Sequence, residues 1–552
     1  MDHKDIKAII QAHNQYYDTE RLGQLDALTR AYDQRLLSGG QYGSWTAGRV
    51  TIEPATAKQY IESYMASLFP KAPAVVVEDN GRAEGKAKLV ESVCNRFLYD
   101  KATVIEQAMR TAFIYPFSFL KLWITPEESV LDSVELRPIK CWDVVMDFEA
   151  ETFEQSRYIG HRYWLPMLEA KTRFPGKKFK GTLKRDLFNK QVGTIYQQGV
   201  VQESDSDYCS YIEVYEIYDM LSDKVYFYSE QSNRGDCLIK TLNEIPFRDH
   251  ANRPIPPLVP MYFDYNVIQP LRGSSHLARV FDQVLERANL RTEVANSVRR
   301  DSRQMFAKKG ILDEESKAIY SQNKDGTIVE VDIGPGDSLN SFITPAPQIP
   351  LSSDFSLYDT WIERDLQAGS LLGAFTKGQA TNVSATEIAA LTQYTSTEIG
   401  KLARIRDTAI EYLCQVYVCI LAFLLETETD ESEDVKEVKT LDGSVQVIRA
   451  QDFVGRFKFG AADQANTPIS SALKQQQLLS LMPLLMNLGV PKEPILEQMV
   501  RLFDLPVGFL EPASPAVTQA PDSVVTGLPP GAEPPLPVGG GEVASMIRSN
   551  AV

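Results

Sequence analysis

The sequence has few of the residues that usually mark an active site, and they are scattered. There is no GxxxxGK[ST] loop, no HExxH and no GxSxG. A phosphate-cradling loop, a two-histidine zinc site and a nucleophile elbow are therefore excluded in their usual forms. The 5 histidines (His3, His13, His161, His250, His276) stand far apart in the chain. The 6 cysteines (Cys94, Cys141, Cys209, Cys237, Cys414, Cys419) form no CxxC pair. That usage fits reduced, buried thiols in a cytosol-type compartment rather than a disulfide framework. GPG at 334–336 lacks the third glycine and the strand-to-helix setting of a dinucleotide fingerprint, so it reads as a turn. RGD at 234–236 reads as a surface turn, and the acidic cluster ESDSD at 203–207 as a solvated loop without partnering ligands. The opening MDHKDIKAIIQAHNQYYD has no apolar h-region, so export is not expected. Neither a metal, a cofactor nor an enzymatic centre is expected from these residues.

Long hydrophobic runs are also scarce. The most membrane-like segment, AIEYLCQVYVCILAFLL at 409–425, is interrupted by Glu411 and Gln415. It falls short of the roughly 20 apolar residues that a span needs. A core helix in protein, with no membrane, is the expectation. With 552 residues and 43% hydrophobic content, the chain can bury a large core divided among several compact units. Lys and Arg number 57 against 73 Asp and Glu, a net charge of −16. That balance argues against indiscriminate wrapping of nucleic acid, though not against a local basic stripe.

What is present is a long helix. From Ala385 to Glu426 there is no proline and a single glycine, Gly400. Ile388, Leu391, Thr395, Ile399, Leu402, Ile405, Ala409, Leu413, Val416, Ile420 and Phe423 recur at three- and four-residue steps, which predicts a packing stripe. Ser384 with Glu387 has the spacing of a capping box. Helices are also predicted at 1–37, 54–69, 82–113, 274–305 and 353–371. Residues 117–263 are strand-rich, with β-branched and aromatic runs such as FSFLKLWIT, YIGHRYW and SYIEVYEIYD. A small α/β insert at 306–350 carries the strand candidate GTIVEVDI, and 444–460 has the pattern of a hairpin. Two further helices follow, the first opened by Thr467 before Pro468. The tail from 512 is rich in proline and glycine and has a composition that predicts disorder.

One charge feature lies between 287 and 309, where Arg287, Arg291, Arg299, Arg300, Arg303, Lys308 and Lys309 face only Glu293 and Asp301. Taken alone, such a run is ordinarily a solvated or salt-bridged helix face. Repeated around a ring, it would gather positive charge near a polyanion without base-specific contact.

The order of these elements resembles the portal, or head-to-tail connector, proteins of tailed double-stranded DNA bacteriophages. AFIYPFSFLKLWI followed by VELRPIKCWDVVMD, then EVYEIYD with KVYFYSE, and SSHLARVFDQVLERANLRTEVANSVRRD carry the likeness. It covers most of 1–505, and where the family often has a G-x-G-F-x-K turn this chain reads YPFSFLK. The resemblance implies an α+β chain with a strand-rich wing, helical stem, small α/β clip, long spoke helix and helical crown, assembled as a ring of about twelve copies. By that likeness 1–116 would be a helical arm and wing, 117–272 the strand-rich wing and 273–305 a stem helix. Residues 306–350 would be the clip, 351–372 a second stem helix and 373–384 a tunnel loop. The long wing helix would be 385–426, a wing hairpin 427–463, the crown 464–511 and a disordered tail 512–552.

The resemblance further implies that Lys377, Gln379 and Asn382 of the tunnel loop and Arg299, Arg300 and Arg303 of the stem face DNA. Lys308, Lys309, Asp313, Glu314 and Glu315 would meet partners at the clip. The implied partners are other copies of the chain, double-stranded DNA, terminase, the major capsid protein and scaffold, and a head-tail adaptor. The implied location is a capsid vertex of the virion, assembled in host cytoplasm. An intracellular enzyme with an unrecognised acidic site, or another helical scaffold protein, are the alternatives that composition leaves open.

Overall fold

The apolar stripe of the long helix organises the fold around itself. A computed structural model describes residues 1–37, 51–79, 84–125, 130–181, 210–232, 237–303, 305–307, 314, 343–345, 354–369, 385–428, 436–439 and 445–461. All lie within the first of two compact units, Met1–Leu484. The predicted tunnel loop, most of the clip, the crown, the tail, Ser384 and the RGD and ESDSD segments lie outside the described residues.

The chain is a mixed α+β fold with several open sheets. Helix α1 (His3–Gln15) continues through a π-helical turn, Tyr16–Arg21, into α2 (Leu22–Tyr32). Then come α3 (Thr56–Leu68), β1 (Val75–Asp79), α4 (Glu84–Asp100) and α5 (Ala102–Ile114). The single helix expected over 82–113 is thus two. No proline or glycine marks the break. Lys101 leaves helical geometry at φ −102°, ψ 11°, and its carbonyl accepts from Val104 and Ile105 at 3.0 and 3.1 Å to start α5. The turn lets Ile105, Met109 and Phe113 enter the core.

The strand-rich region forms two antiparallel sheets. β2 (Ser118–Ile124), β3 (Val134–Lys140) and β9 (Leu258–Met261) form one, with β2 central. β4 (Val144–Met146), β5 (Tyr158–Pro166), β6 (Tyr211–Asp219), β7 (Lys224–Tyr228) and β8 (Leu238–Leu242) form a five-stranded sheet in sequential order. Between β5 and β6 lies the short helix α6 (Met167–Arg173). Both faces of β6 are covered. Ile6 and Ile10 of α1 pack with Tyr215, Ile217, Tyr226 and Tyr228 on one side, while Ile212, Val214 and Tyr218 face the main core on the other.

After β9 come α7 (Phe281–Arg303), the short pair β10 (Met305–Ala307) and β11 (Ile343–Pro345), α8 (Asp354–Gly369) and α9 (Ala385–Glu428). The remaining elements are β12 (Lys436–Lys439), β13 (Val445–Ile448), α10 (Ala450–Phe453) and β14 (Phe457–Ala461). The expected hairpin over 444–460 is corrected here. β13 pairs instead with β12, α10 intervenes, and β14 pairs with the distant β1, Val75 opposite Ala461. Glu411 explains part of this: its carboxylate accepts the Ala461 backbone N–H at 3.2 Å and fixes β14 against α9.

α9 has 44 residues and rises about 66 Å at 1.5 Å per residue. Along 413–425 it is buried nearly all round: Leu413, Cys414, Val416, Tyr417, Val418, Ile420, Leu421, Leu424 and Leu425 are all in the core. The segment Ile399–Thr427 is long and apolar enough to cross a membrane by composition, and 56% of its most apolar window is buried within this chain. The five described cysteines are free, with Cys94, Cys141 and Cys414 buried.

An ion pair joins the two large sheets. Lys121 of β2 donates to Glu216 of β6 at 2.8 Å, with both side chains all but sealed from solvent. Burial pushes the Glu216 carboxyl up, but the Lys121 charge and the Tyr218 hydroxyl outweigh it and hold the group below its usual range. Removing one partner of such a pair leaves an uncompensated charge and costs about 3–5 kcal/mol, whereas replacing both by apolar groups is often neutral. Lys121→Met is therefore expected to lower unfolding stability by about 3–5 kcal/mol, and Lys121→Met with Glu216→Leu to recover most of it. Denaturant titration of the two variants checks this, and an equally unstable double variant would contradict it.

The start of α7 is set by its own small core. Gly273 has φ +59°, and a Cβ there would lie 2.3 Å from the Pro116 carbonyl oxygen, so only glycine fits. The Ser275 hydroxyl donates to Ile114 O at 2.7 Å and accepts from the Ala278 N–H at 3.1 Å. His276 sits among Tyr60, Tyr64 and Phe113, its Nδ1 2.9 Å from the Tyr60 hydroxyl. Burial, helped by nearby Arg279, pulls its pKa down to about 3. A histidine whose folded pKa lies below its unfolded value contributes stability that is full above about pH 6.5 and lost as pH falls toward 3. Carboxylates titrate over part of the same range, so the comparison is with His276→Gln. The wild-type profile is expected to fall more steeply than the variant's below about pH 6.5; parallel profiles from pH-dependent denaturation would contradict it.

Candidate functional site

α7 and α8 lie against each other as a helix pair that stands apart from the sheets in its chemistry. Ile362 and Leu366 of α8 are buried, as are Val284, Ala288 and Leu290 of α7. Across the pair Arg287 meets Asp359 at 3.4 Å and Glu363 at 3.9 Å, and the Tyr358 hydroxyl donates to Glu286. That bond to a carboxylate pushes the Tyr358 pKa up. At the root of the pair, Thr292 takes the Ile52 backbone N–H at 3.0 Å and donates to the Ile52 carbonyl at 3.1 Å, tying α7 to the chain before α3.

Two features face outward. A groove of about 300 Å³ runs along α7, with Leu285 and Tyr358 in its lining and Asp282, Glu286 and Glu293 supplying carboxylates. Beside it α8 carries an exposed apolar strip. Leu357 is 52% and Trp361 56% exposed, one helical turn apart, with Phe355, Tyr358 and, on α7, Val298 also exposed. Isolated exposed hydrophobics are ordinary, whereas large ones gathered along one helix make a patch of the kind that interaction surfaces carry.

The residues singled out from the sequence fare differently. Arg287 is committed to α8 as an ion-pair clasp, the ordinary role for a charge in such a run. Arg291 is exposed on α7. Arg299, Arg300 and Arg303 lie on the last turns of the same helix, whose backbone alone is described. Glu314 is exposed. Lys308, Lys309, Asp313, Glu315, Lys377, Gln379 and Asn382 lie outside the described residues. Among the described residues no three His, Cys, Asp or Glu side chains are grouped to hold a metal ion.

The Trp361 strip is the feature the sequence reading missed. Its signal was present: in DFSLYDTWIERDLQAG the apolar residues occupy more of the helix than one buried face requires. A second surface, the basic residues around α6, was also not anticipated, although 171–180 holds five bases and no acid. No protein-family model matches this sequence, and no curated protein is significantly similar to it.

Proposed function

We propose that this chain is a portal protein: a subunit of a ring of about twelve copies that conducts double-stranded DNA into and out of a capsid. In this reading α7 and α8 are the stem, the segment between them is the clip that meets terminase and the head-tail adaptor, and α9 is the spoke of the wing. The capsid protein and scaffold surround the ring at one vertex. The chain supplies no chemistry of its own, and the energy of packaging comes from the separate ATPase of the motor.

The observation that carries the reading is the α7–α8 pair with its outward strip of Leu357 and Trp361 beside an acidic groove. Among the described residues Ile362 and Leu366 fill the inner face of α8, on a different side from the strip. The strip therefore asks for a neighbour. A patch that meets a different patch on the next copy makes a heterologous contact, and such contacts close into rings when the rotation allows. The element order supports the same reading: strands, the helix α7, an insert, the helix α8 and then the long helix α9.

The purified full chain is expected to form closed rings of about twelve copies without DNA or nucleotide, seen by mass measurement and by electron microscopy. Leu357→Asp with Trp361→Asp is expected to shift the mass toward single chains while leaving the fold intact. Both side chains are exposed, and surface changes alter stability by roughly half a kcal/mol or less. A wild-type chain that stays monomeric across a wide concentration range overturns the portal reading. Rings that survive the double substitution would place the contact elsewhere.

A further inference from the structure

Two cysteines that the ring reading does not use meet in the core. Cys94 lies on α4 and Cys414 on α9, and both are free and fully buried. The Cys414 thiol is hydrogen-bonded to that of Cys94, and burial, helped by this neighbour, pushes its pKa up. One turn further along both helices, the Phe97 and Tyr417 rings stack at 4.0 Å with 13° between their planes. The same three-residue step separates the two contacts on each helix, so α4 and α9 run side by side in one direction here. Val90, Val93, Leu413 and Val416 on the adjoining turns are buried too. The two sulfurs are therefore held together by the packing around them.

A cleft of about 60 Å³ lies beside the stack, with Val93, Phe97, Leu131 and Tyr417 in its lining. That is room for a water-sized molecule, and hydrogen peroxide is little larger. The cleft brings such a reagent to within one helical turn of the thiols. The thiolate, not the thiol, is the reacting form. With Cys414 held protonated, the closed core protects the pair, and oxidation proceeds through local opening of the helices.

We propose that Cys94 and Cys414 form an oxidative modification site, at which hydrogen peroxide converts the pair to a disulfide that staples α4 to α9. One thiolate attacks a peroxide oxygen, the O–O bond breaks, and a sulfenic acid forms. The second thiolate attacks that sulfur, the S–O bond breaks, and the S–S bond forms. Two thiols are oxidised and one peroxide is reduced, and the two thiol protons end in the two molecules of water released. The bond joins helices remote in sequence, and a cross-link that closes a long loop constrains the unfolded chain most. In a reducing compartment the pair stays as thiols, and transfer of the folded chain to an oxidising one closes it. The inference goes beyond the ring reading and does not rest on it, since both residues belong to one chain.

The test is exposure of the full-length protein to hydrogen peroxide, followed by blocking of the remaining thiols under denaturing conditions, digestion without reductant, and mass spectrometry. The expected product is a linked pair of peptides carrying Cys94 and Cys414 that separates on adding dithiothreitol. It is expected to form faster in urea below the unfolding transition than in buffer, because opening limits access. The oxidised protein is expected to unfold about 5 °C above the reduced protein, and Cys94→Ala or Cys414→Ala to abolish that gain. Each substitution removes a buried side chain, so each variant is compared with itself, oxidised against reduced. Recovery of the two residues unlinked, as free thiols or as sulfinic acids, overturns the proposal. So do links from either one to another cysteine, or a Cys94–Cys414 link that leaves the unfolding midpoint unchanged. Mass measurement of the intact protein in both redox states reports separately on ring formation, so either idea can fail without the other.

Discussion

The rest of the structure depends on having to bury the second half of α9. A helix that is apolar on all sides has no solvent face, so it must be enclosed by protein or lipid. Here other parts of the same chain enclose much of it: α3, α4, β9, β14 and α10 all pack on it. Tyr417 stacks on Phe97 at 4.0 Å, and Phe423 meets Phe247 edge-on at 5.5 Å. Each fully buried aliphatic or aromatic side chain contributes roughly 1.5–3 kcal/mol, so this one segment outweighs any single polar contact in the fold. It also joins chain regions that are remote in sequence, because α3 and α4 from the first part of the chain and β14 from the last both pack on it.

Polar groups next to this core are placed where they complete backbone bonding. Arg406 is buried at the edge of the apolar stretch, where it donates to the Leu68 carbonyl at the end of α3 and to Asp407 at 2.7 Å. Burial holds the Asp407 carboxyl above its usual range despite the adjacent guanidinium. Glu411, which breaks the apolar run in the sequence, satisfies the outer N–H of Ala461. Asn95 does the same for β1, accepting from the Val75 N–H at 2.8 Å and donating to its carbonyl at 3.0 Å. The small β1–β14 sheet is thus closed by side chains from the two helices that flank it, which is one way to blunt exposed strand edges.

Sequence periodicity anticipated the elements better than it anticipated their partners. α3, α8 and α9 each fall within about two residues of their predicted ends, because uninterrupted apolar spacing over many residues is a strong local signal, whereas α7 begins seven residues later than predicted, after a 3-10 turn at Leu277–Val280. The split at Lys101 was not legible, since no helix breaker marks it and the turn is imposed by packing. The pairing of β14 with β1 was not legible either. A strand pattern states that an edge needs a partner, and only the fold decides which. The same limit applied to function. Arg287 belongs to a conspicuous basic run, yet its partners Asp359 and Glu363 come from a helix beyond the insert.

The charge distribution of this acidic chain differs from one surface to the next. At physiological salt the screening length is about 8 Å, so a net charge of −16 is not felt as one field by a phosphate at the surface. What matters is the set of charges within about that distance. Around α6 the set is mixed, with Glu169 in the first turn and Lys171 and Arg173 in the last, and Arg137 beside the Trp123 indole is tied to Glu135. Along the α7 groove it is acidic, with Asp282, Glu286 and Glu293. A charged molecule therefore meets a different field at each surface, and burial in the core stabilises the scaffold that holds these side chains.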